Sequence, residues 1–193
     1  MKNTDFNLLA KEAYESAKKR GFHQGEHSDM HWVMLMACEL AEAVEADRCG
    51  RWVKERQEYE RLKGVCDESV HAHLFEMHIK DTVEDELADV VIRALDYIGL
   101  KGMSIKDGYI SEEKMREVVK STFKHKDWEY LKTFAERVYV ACMMNIHCVV
   151  YMPETLLWQV FAIAELYGID LMWFVREKME YNTKRVHLHG KAY

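Results

Sequence analysis

Apolar side chains return along this chain at helical intervals. Trp32, Met36, Leu40 and Ala43 fall on one side of a helix, flanked by Leu35 and Val44. Val83, Leu87, Val90, Ala94 and Ile98 form a second stripe, and Leu131, Phe134, Val138, Ala141 and Cys142 a third. With one proline in 193 residues and few glycines, the pattern predicts an all-α fold. Thr4 suits the cap of a first helix running to about Arg20, with Gly21 as its stop. Residues 28–48 form the second. Gly50 to about Lys80 is polar, contains Arg51, Lys54, Glu55 and Arg56, and reads as partly helical. Thr82, three residues before Asp85, resembles a capping box opening a helix that ends near Gly99–Gly102. Ser111 starts a short amphipathic helix ending near His125, and residues 128–150 continue as another. Pro153 suits the first turn of a helix through Tyr167. Gly168 breaks it, and Asp170 caps a last helix to about Asn182. The final ten residues are basic, contain histidine and read as extended over the surface. No repeat or compositional boundary divides the chain, so a single domain over 1–193 is expected, a helical bundle with a decorated middle.

Inside two of these helices lie acidic pairs of identical spacing, Glu39-Leu40-Ala41-Glu42 and Glu86-Leu87-Ala88-Asp89. Three residues bring both carboxylates of a pair to one helix face, about one turn apart. Glu39 projects between Leu35 and Trp32, within the apolar stripe, and Glu42 lies at its edge. Glu86 sits on the shoulder of the second stripe, with Asp89 further out. A carboxylate in an apolar face calls for a partner, because burying it unpaired is costly. Solvated flank residues paired with Arg48 or Arg93 would explain one such pair. Two matching pairs favour a hard divalent cation, Mg²⁺ or Mn²⁺, among Glu39, Glu42, Glu86 and Asp89.

The net charge of −6 argues against broad nucleic-acid binding. The charge is uneven, however: the end of the chain sets Arg176, Lys178, Lys184, Arg185 and Lys191 against Glu177 and Glu180. An acidic body with a basic tail suits an anionic ligand that carries a metal. No run of 18 apolar residues and no signal-peptide pattern occurs, so a cytoplasmic protein without membrane contact is expected. Cys38, Cys49, Cys66, Cys142 and Cys148 have no CxxC spacing and read as reduced packing residues.

The runs ELAEAVEADR (Glu39 to Arg48), EDELADVVIRALDY (Glu84 to Tyr97) and KMEYNTKRVHLHGKAY (Lys178 to Tyr193) resemble the MazG-like, all-α nucleoside triphosphate pyrophosphohydrolases. ExxE on one helix followed by ExxD on the next is the metal signature of that family. Two departures stand out. Cys38 precedes Glu39 where many members double the glutamate. Residues 101–152 have no counterpart in the smallest members and read as a helical insertion, while 183–193 form a basic C-terminal tail. The resemblance implies a four-helix core, a homodimer, and hydrolysis of a nucleoside triphosphate to the monophosphate and pyrophosphate with Mg²⁺ as cofactor.

That chemistry needs the charge on phosphate oxygens neutralised and a water aligned. Glu42 is the candidate acceptor of the water's proton. Lys178, Asn182 and Arg185, spaced four and three, share a helix face and suit the outer phosphates, with Lys191 reaching over from the tail. A basic last turn also suits the helix macrodipole without any ligand. Lys54 is a further phosphate-binding candidate. Trp32, one or two turns from the acids, offers a face for a nucleobase, or else is a core tryptophan. Two rivals remain: a catalytically silent helical module that binds a nucleotide or protein, and a di-iron carboxylate bundle. The latter needs Glu-x-x-His, and Glu68–His71 is its one clear instance, in the polar spacer.

Overall fold

The computed structural model describes residues 4–106, 108–123 and 130–185, and among these every regular element is helical. The α-helices are α1 (Phe6–Lys19), α2 (Asp29–Arg48), α3 (Arg56–Val65), α4 (His71–His78), α5 (Val83–Leu100), α6 (Glu112–Phe123), α7 (Phe134–Val138), α8 (Pro153–Tyr167) and α9 (Leu171–Thr183). Helix α5 is the hub. It packs against α1, α2, α8 and α9, and all its residues except Asp89, Arg93, Gly99 and Leu100 are buried. A helix enclosed on nearly every side is unusual in also carrying Glu84, Asp85, Glu86 and Asp96 in buried positions. Three of those acids occupy its first turn, where the positive end of the helix dipole meets them.

Helices α2 and α5 run antiparallel. Lys101 pairs with Asp29 at 2.5 Å at one end, and Arg93 pairs with Glu39 further along. Helix α1 also opposes α5. Asn7 exchanges side-chain hydrogen bonds with the backbone of Ile105, and Ala10 and Tyr14 meet Gly99. Small residues on α1 (Ala10, Ala13 and Ala17) allow this close approach. Ridges with little side chain bring helix axes together, so α1 becomes a wall of the cleft formed by α2 and α5.

The sequence-level boundaries of α1, α2, α5, α8 and α9 hold to within a residue or two, with differences at the caps. Asp5, not Thr4, caps α1, accepting from the amides of Asn7 and Leu8. Thr82 accepts from the Asp85 amide, but Asp85 turns its carboxylate to the Asp81 amide, so the box is only half formed. Asp170 makes no cap hydrogen bond and instead receives Arg56 at 3.2 Å. Gly168 adopts φ +71° at the end of α8, and the chain bends by 115° into α9. No single described helix is long and apolar enough to cross a membrane.

The segment expected as one helix over 128–150 is broken. Thr133 and Glu136 form a reciprocal capping box that starts α7 only there, and the chain passes through a π turn (Tyr139–Met143) and a 3₁₀ turn (Ile146–Val150). Asn145 stands at the break, and Ile146, Val149 and Val150 after it are β-branched, poor residues for extending a helix. His125 and residues 124–129 lie outside the described residues. The 101–152 segment still joins the one core. Ile105, Ile110, Phe134, Val138, Cys142 and Val149 pack with residues of α1, α2, α5 and α8. All five cysteines are free thiols, and Cys142 is fully buried.

Two glycine-to-alanine substitutions should shift stability in opposite directions. A Cβ on Gly99 would lie 2.6 Å from Tyr14 Cβ and 2.7 Å from the Ala10 carbonyl oxygen. Gly99→Ala is therefore expected to lower unfolding free energy by about 1–3 kcal/mol, outweighing the helix-propensity gain. In α3, a Cβ on Gly64 meets nothing within 4 Å. Gly64→Ala should be neutral or stabilising by up to about 1 kcal/mol. Denaturant unfolding of both variants measures the contrast.

Candidate metal centre and its cleft

Helices α1, α2, α5 and α9 enclose a cleft of about 250 Å³. Glu39, Glu42, Glu86 and Asp89 all line it, so both acidic pairs reach one space as their spacing implies. Carboxylate oxygens of Glu39, Glu42 and Glu86 lie within 4.8 Å of one another, a separation that one cation can bridge. Glu39 and Glu86 are buried, whereas Glu42 is exposed at the mouth. Asp89 stands apart from this triad because its Oδ2 is 2.8 Å from Lys178 Nζ.

The triad concentrates negative charge where water is scarce. Burial pushes Glu86 up to about 9, and the nearby Asp85 and Asp89 carboxylates add to the effect. No described side chain donates a hydrogen bond to Glu86. At neutral pH such a group takes either a proton or a metal. Burial also raises Glu39, helped by Asp89 and opposed by Arg93, whose Nε is 2.5 Å from Glu39 Oε1. Thus Arg93 is the partner of a buried glutamate, not of a solvated one. Arg48 pairs with Glu45 instead, on the surface.

A second acidic group, Asp81, Asp85 and Glu86, shares Glu86 with the first. Its other members are satisfied internally. Asp85 Oδ1 accepts from Lys178 at 2.7 Å, Asp85 Oδ2 from the Asp81 amide at 3.0 Å, and the Asp81 carboxylate from Lys80. Burial lifts Asp85 to about 6 against the pull of Lys178. For Lys178 itself, burial is outweighed by Asp89 and Asp85, which hold the ammonium above its ordinary value.

Several site expectations need correction. Lys178 does line the cleft with Asn182 and Arg185, but its ammonium is committed to Asp85 and Asp89 rather than open to a phosphate. Arg185 keeps a position on the cleft with its guanidinium 5.6 Å from the Tyr181 ring. Asn182 is buried, and the Arg20 guanidinium donates to its backbone carbonyl at 3.0 Å. Lys54 is not in the cleft; it borders an open groove beside Arg56 and Arg61 on α3. Lys191 lies outside the described residues. Trp32 is a cleft wall and a core residue at once. It is 8% exposed, and the rings of His23, His27 and His31 pack around it. Glu68 and His71 are not among the cleft residues, and no described candidate metal cluster contains a histidine or cysteine. The oxygen-only donor set fits Mg²⁺ or Mn²⁺ rather than a Glu-x-x-His di-iron centre.

Sequence reasoning missed Asp85, Arg20 and the His23–Asp96 pair, whose Nε2 and Oδ1 are 2.8 Å apart beside the cleft. Burial raises Asp96, with His23, Arg93 and Arg20 acting in opposition. Glu84 is fixed by a different device: its Oε2 accepts from the Val53 amide at 3.1 Å. This bond and the Val83 amide to Arg51 carbonyl bond pin the 51–53 strand-like stretch to the start of α5. No protein-family model matches the chain, and neither curated proteins nor solved structures yield a match.

Two outcomes follow from these charges. The native state holds a proton on Glu86 from its ordinary 4.5 up to about 9, a range over which the unfolded chain has lost it. With chelator present, the melting temperature should fall as pH rises across that range. Glu86→Gln should flatten the fall, and Mn²⁺ should raise the melting temperature more at pH 8 than at pH 6. Lys178→Met leaves Asp85 buried without its counterion, an expected loss of about 3–5 kcal/mol in denaturant unfolding.

Proposed function

We propose that this chain is a divalent-metal-dependent nucleoside triphosphate pyrophosphohydrolase of the MazG-like, all-α kind. The observation that carries the proposal is the convergence of Glu39, Glu42 and Glu86 on one point of a cleft that also holds Trp32 and Arg185. The cleft brings together acids, the apolar side chains of Trp32, Phe22 and Ile92, and the cations Arg20, Arg93 and Arg185, the kinds of group that the parts of a nucleoside polyphosphate call for. Glu39, Glu42 and Glu86 would hold Mg²⁺, with Asp89 as the fourth ligand of the signature. The ion, when bound, supplies charge neutralisation on the phosphate oxygens and acidifies water.

The chain's own residues supply the rest. Glu42, the exposed acid of the triad, is the one open to solvent and accepts a proton from the attacking water. Arg185 neutralises the outer phosphates, and its planar guanidinium suits paired oxygens. Trp32 lines the cleft, and the exposed part of its indole is the surface this reading assigns to the base. Lys178 acts one step back, fixing Asp85 and Asp89 in place. The homodimer expected from the family resemblance belongs to the same proposal, and light scattering measures it.

Incubation with a panel of standard and modified nucleoside triphosphates, with and without Mg²⁺, tests the reaction. Monophosphate and pyrophosphate should appear together, vanish with EDTA, and fall by about 10²–10⁴-fold in Glu42→Gln. Tight nucleotide binding with no turnover would favour the silent binding module instead.

A further inference from the structure

Two of the acids assigned to the metal already face a cation belonging to the chain. Arg93 Nε lies 2.5 Å from Glu39 Oε1, and Lys178 Nζ lies 2.8 Å from Asp89 Oδ2. These two cations are held very differently. Lys178 is also bonded to Asp85 Oδ1 at 2.7 Å and its side chain is 5% exposed, so Asp85 anchors it whatever happens at Asp89. Arg93 has Glu39 as its one described hydrogen-bond partner, and its side chain is 26% exposed where it borders the cleft. One is walled in; the other borders the cleft, with Asp89 and Asp96 as further acids nearby.

We infer that Arg93 is an exchangeable counterion: it neutralises Glu39 until a divalent cation takes that carboxylate, and its guanidinium then turns to the phosphate chain. This inference rests on the pyrophosphohydrolase reading and adds an order to it, metal before phosphate. The physical reason is competition for one carboxylate. A dication bound through Glu39 and a guanidinium bonded to the same carboxylate repel each other at short range within a largely buried site. Arg93 stands on α5 four residues beyond Asp89 and seven beyond Glu86, so displacement keeps it on the acidic wall of the cleft. Its planar fork matches two oxygens of a phosphate as well as it matches a carboxylate. A purely structural clip between α2 and α5 would use the same pair, but would not link metal and phosphate affinities in opposite directions.

Calorimetric titration of the full chain at pH 8, with Mn²⁺ alone and then with inorganic pyrophosphate in saturating Mn²⁺, separates these accounts. Arg93→Gln removes the charge while leaving an amide able to donate to Glu39. It should bind Mn²⁺ alone several-fold tighter than the wild type, yet bind pyrophosphate at least tenfold more weakly. Arg93→Lys should return both values towards the wild type. If both affinities of Arg93→Gln move in the same direction, or neither moves, the inference is overturned while the metal centre stands. A wild-type chain that takes up no Mn²⁺ removes the metal centre itself, and the inference with it. Should Arg93→Gln not fold, the wild-type Arg93 Nε–H proton resonance still decides. It should lose its Glu39-bonded shift on saturation with Mg²⁺, and an unmoved resonance overturns the inference.

Discussion

An ionised carboxylate taken out of water must be met by something positive, and α5 carries four such acids in buried positions. Three are met, each differently. Glu84 takes the Val53 amide, Asp85 takes Lys178 and the Asp81 amide, and Asp96 takes His23. Glu86 is left facing Glu39 and Glu42. The three answered acids tie α5 to the 51–53 stretch, to α9 and to the chain after α1, so the compensations that permit burial also assemble the fold. The unanswered one defines the site. Structure and candidate chemistry are here two results of a single electrostatic requirement.

The dipole of α5 makes this tolerable. Glu84, Asp85 and Glu86 fall in the first turn, at the helix's positive end. Asp81, with φ +61°, turns the chain just before Thr82 and points its amide at Asp85. Aspartate is among the few non-glycine residues that adopt that conformation without a large penalty. The same short stretch therefore begins the helix, feeds an amide to a buried acid and borders the cleft through Lys80 and Asp81.

What the sequence disclosed, and what it did not, follows from the range of the interactions involved. The helix stop at Gly168 and the start at Pro153 are local events, so they were legible residue by residue. The meeting of the two acidic pairs was legible too, because each pair shares a face and both faces are apolar. The role of Lys178 was not. Helical spacing assigns it a face with Asn182 and Arg185, but its partner Asp85 is 93 residues away and comes opposite only when α9 packs on α5. Asp85 itself lies one position out of phase with Glu86 and gives no periodic signal. Lys54 sits in the polar stretch that follows Gly50, and it borders a different groove beside α3. Residues 128–150 fit a helical stripe, but the Thr133–Glu136 capping box and the residues following Asn145 impose a break that periodicity alone does not encode.

The contact between Gly99 and Ala10 also bears on how the cleft could change shape. Gly99 leaves no room for even a Cβ between its backbone and the Ala10 carbonyl and Tyr14 Cβ, so α1 and α5 meet there like two flat boards with no spacer. A movement that pressed the two closer at this point would meet the Ala10 carbonyl and the Tyr14 side chain. Widening that admits a bulky ligand is easier where Glu42 on α2 and Arg185 beyond the end of α9 border the cleft. One jaw is fixed, and adaptation is left to the other.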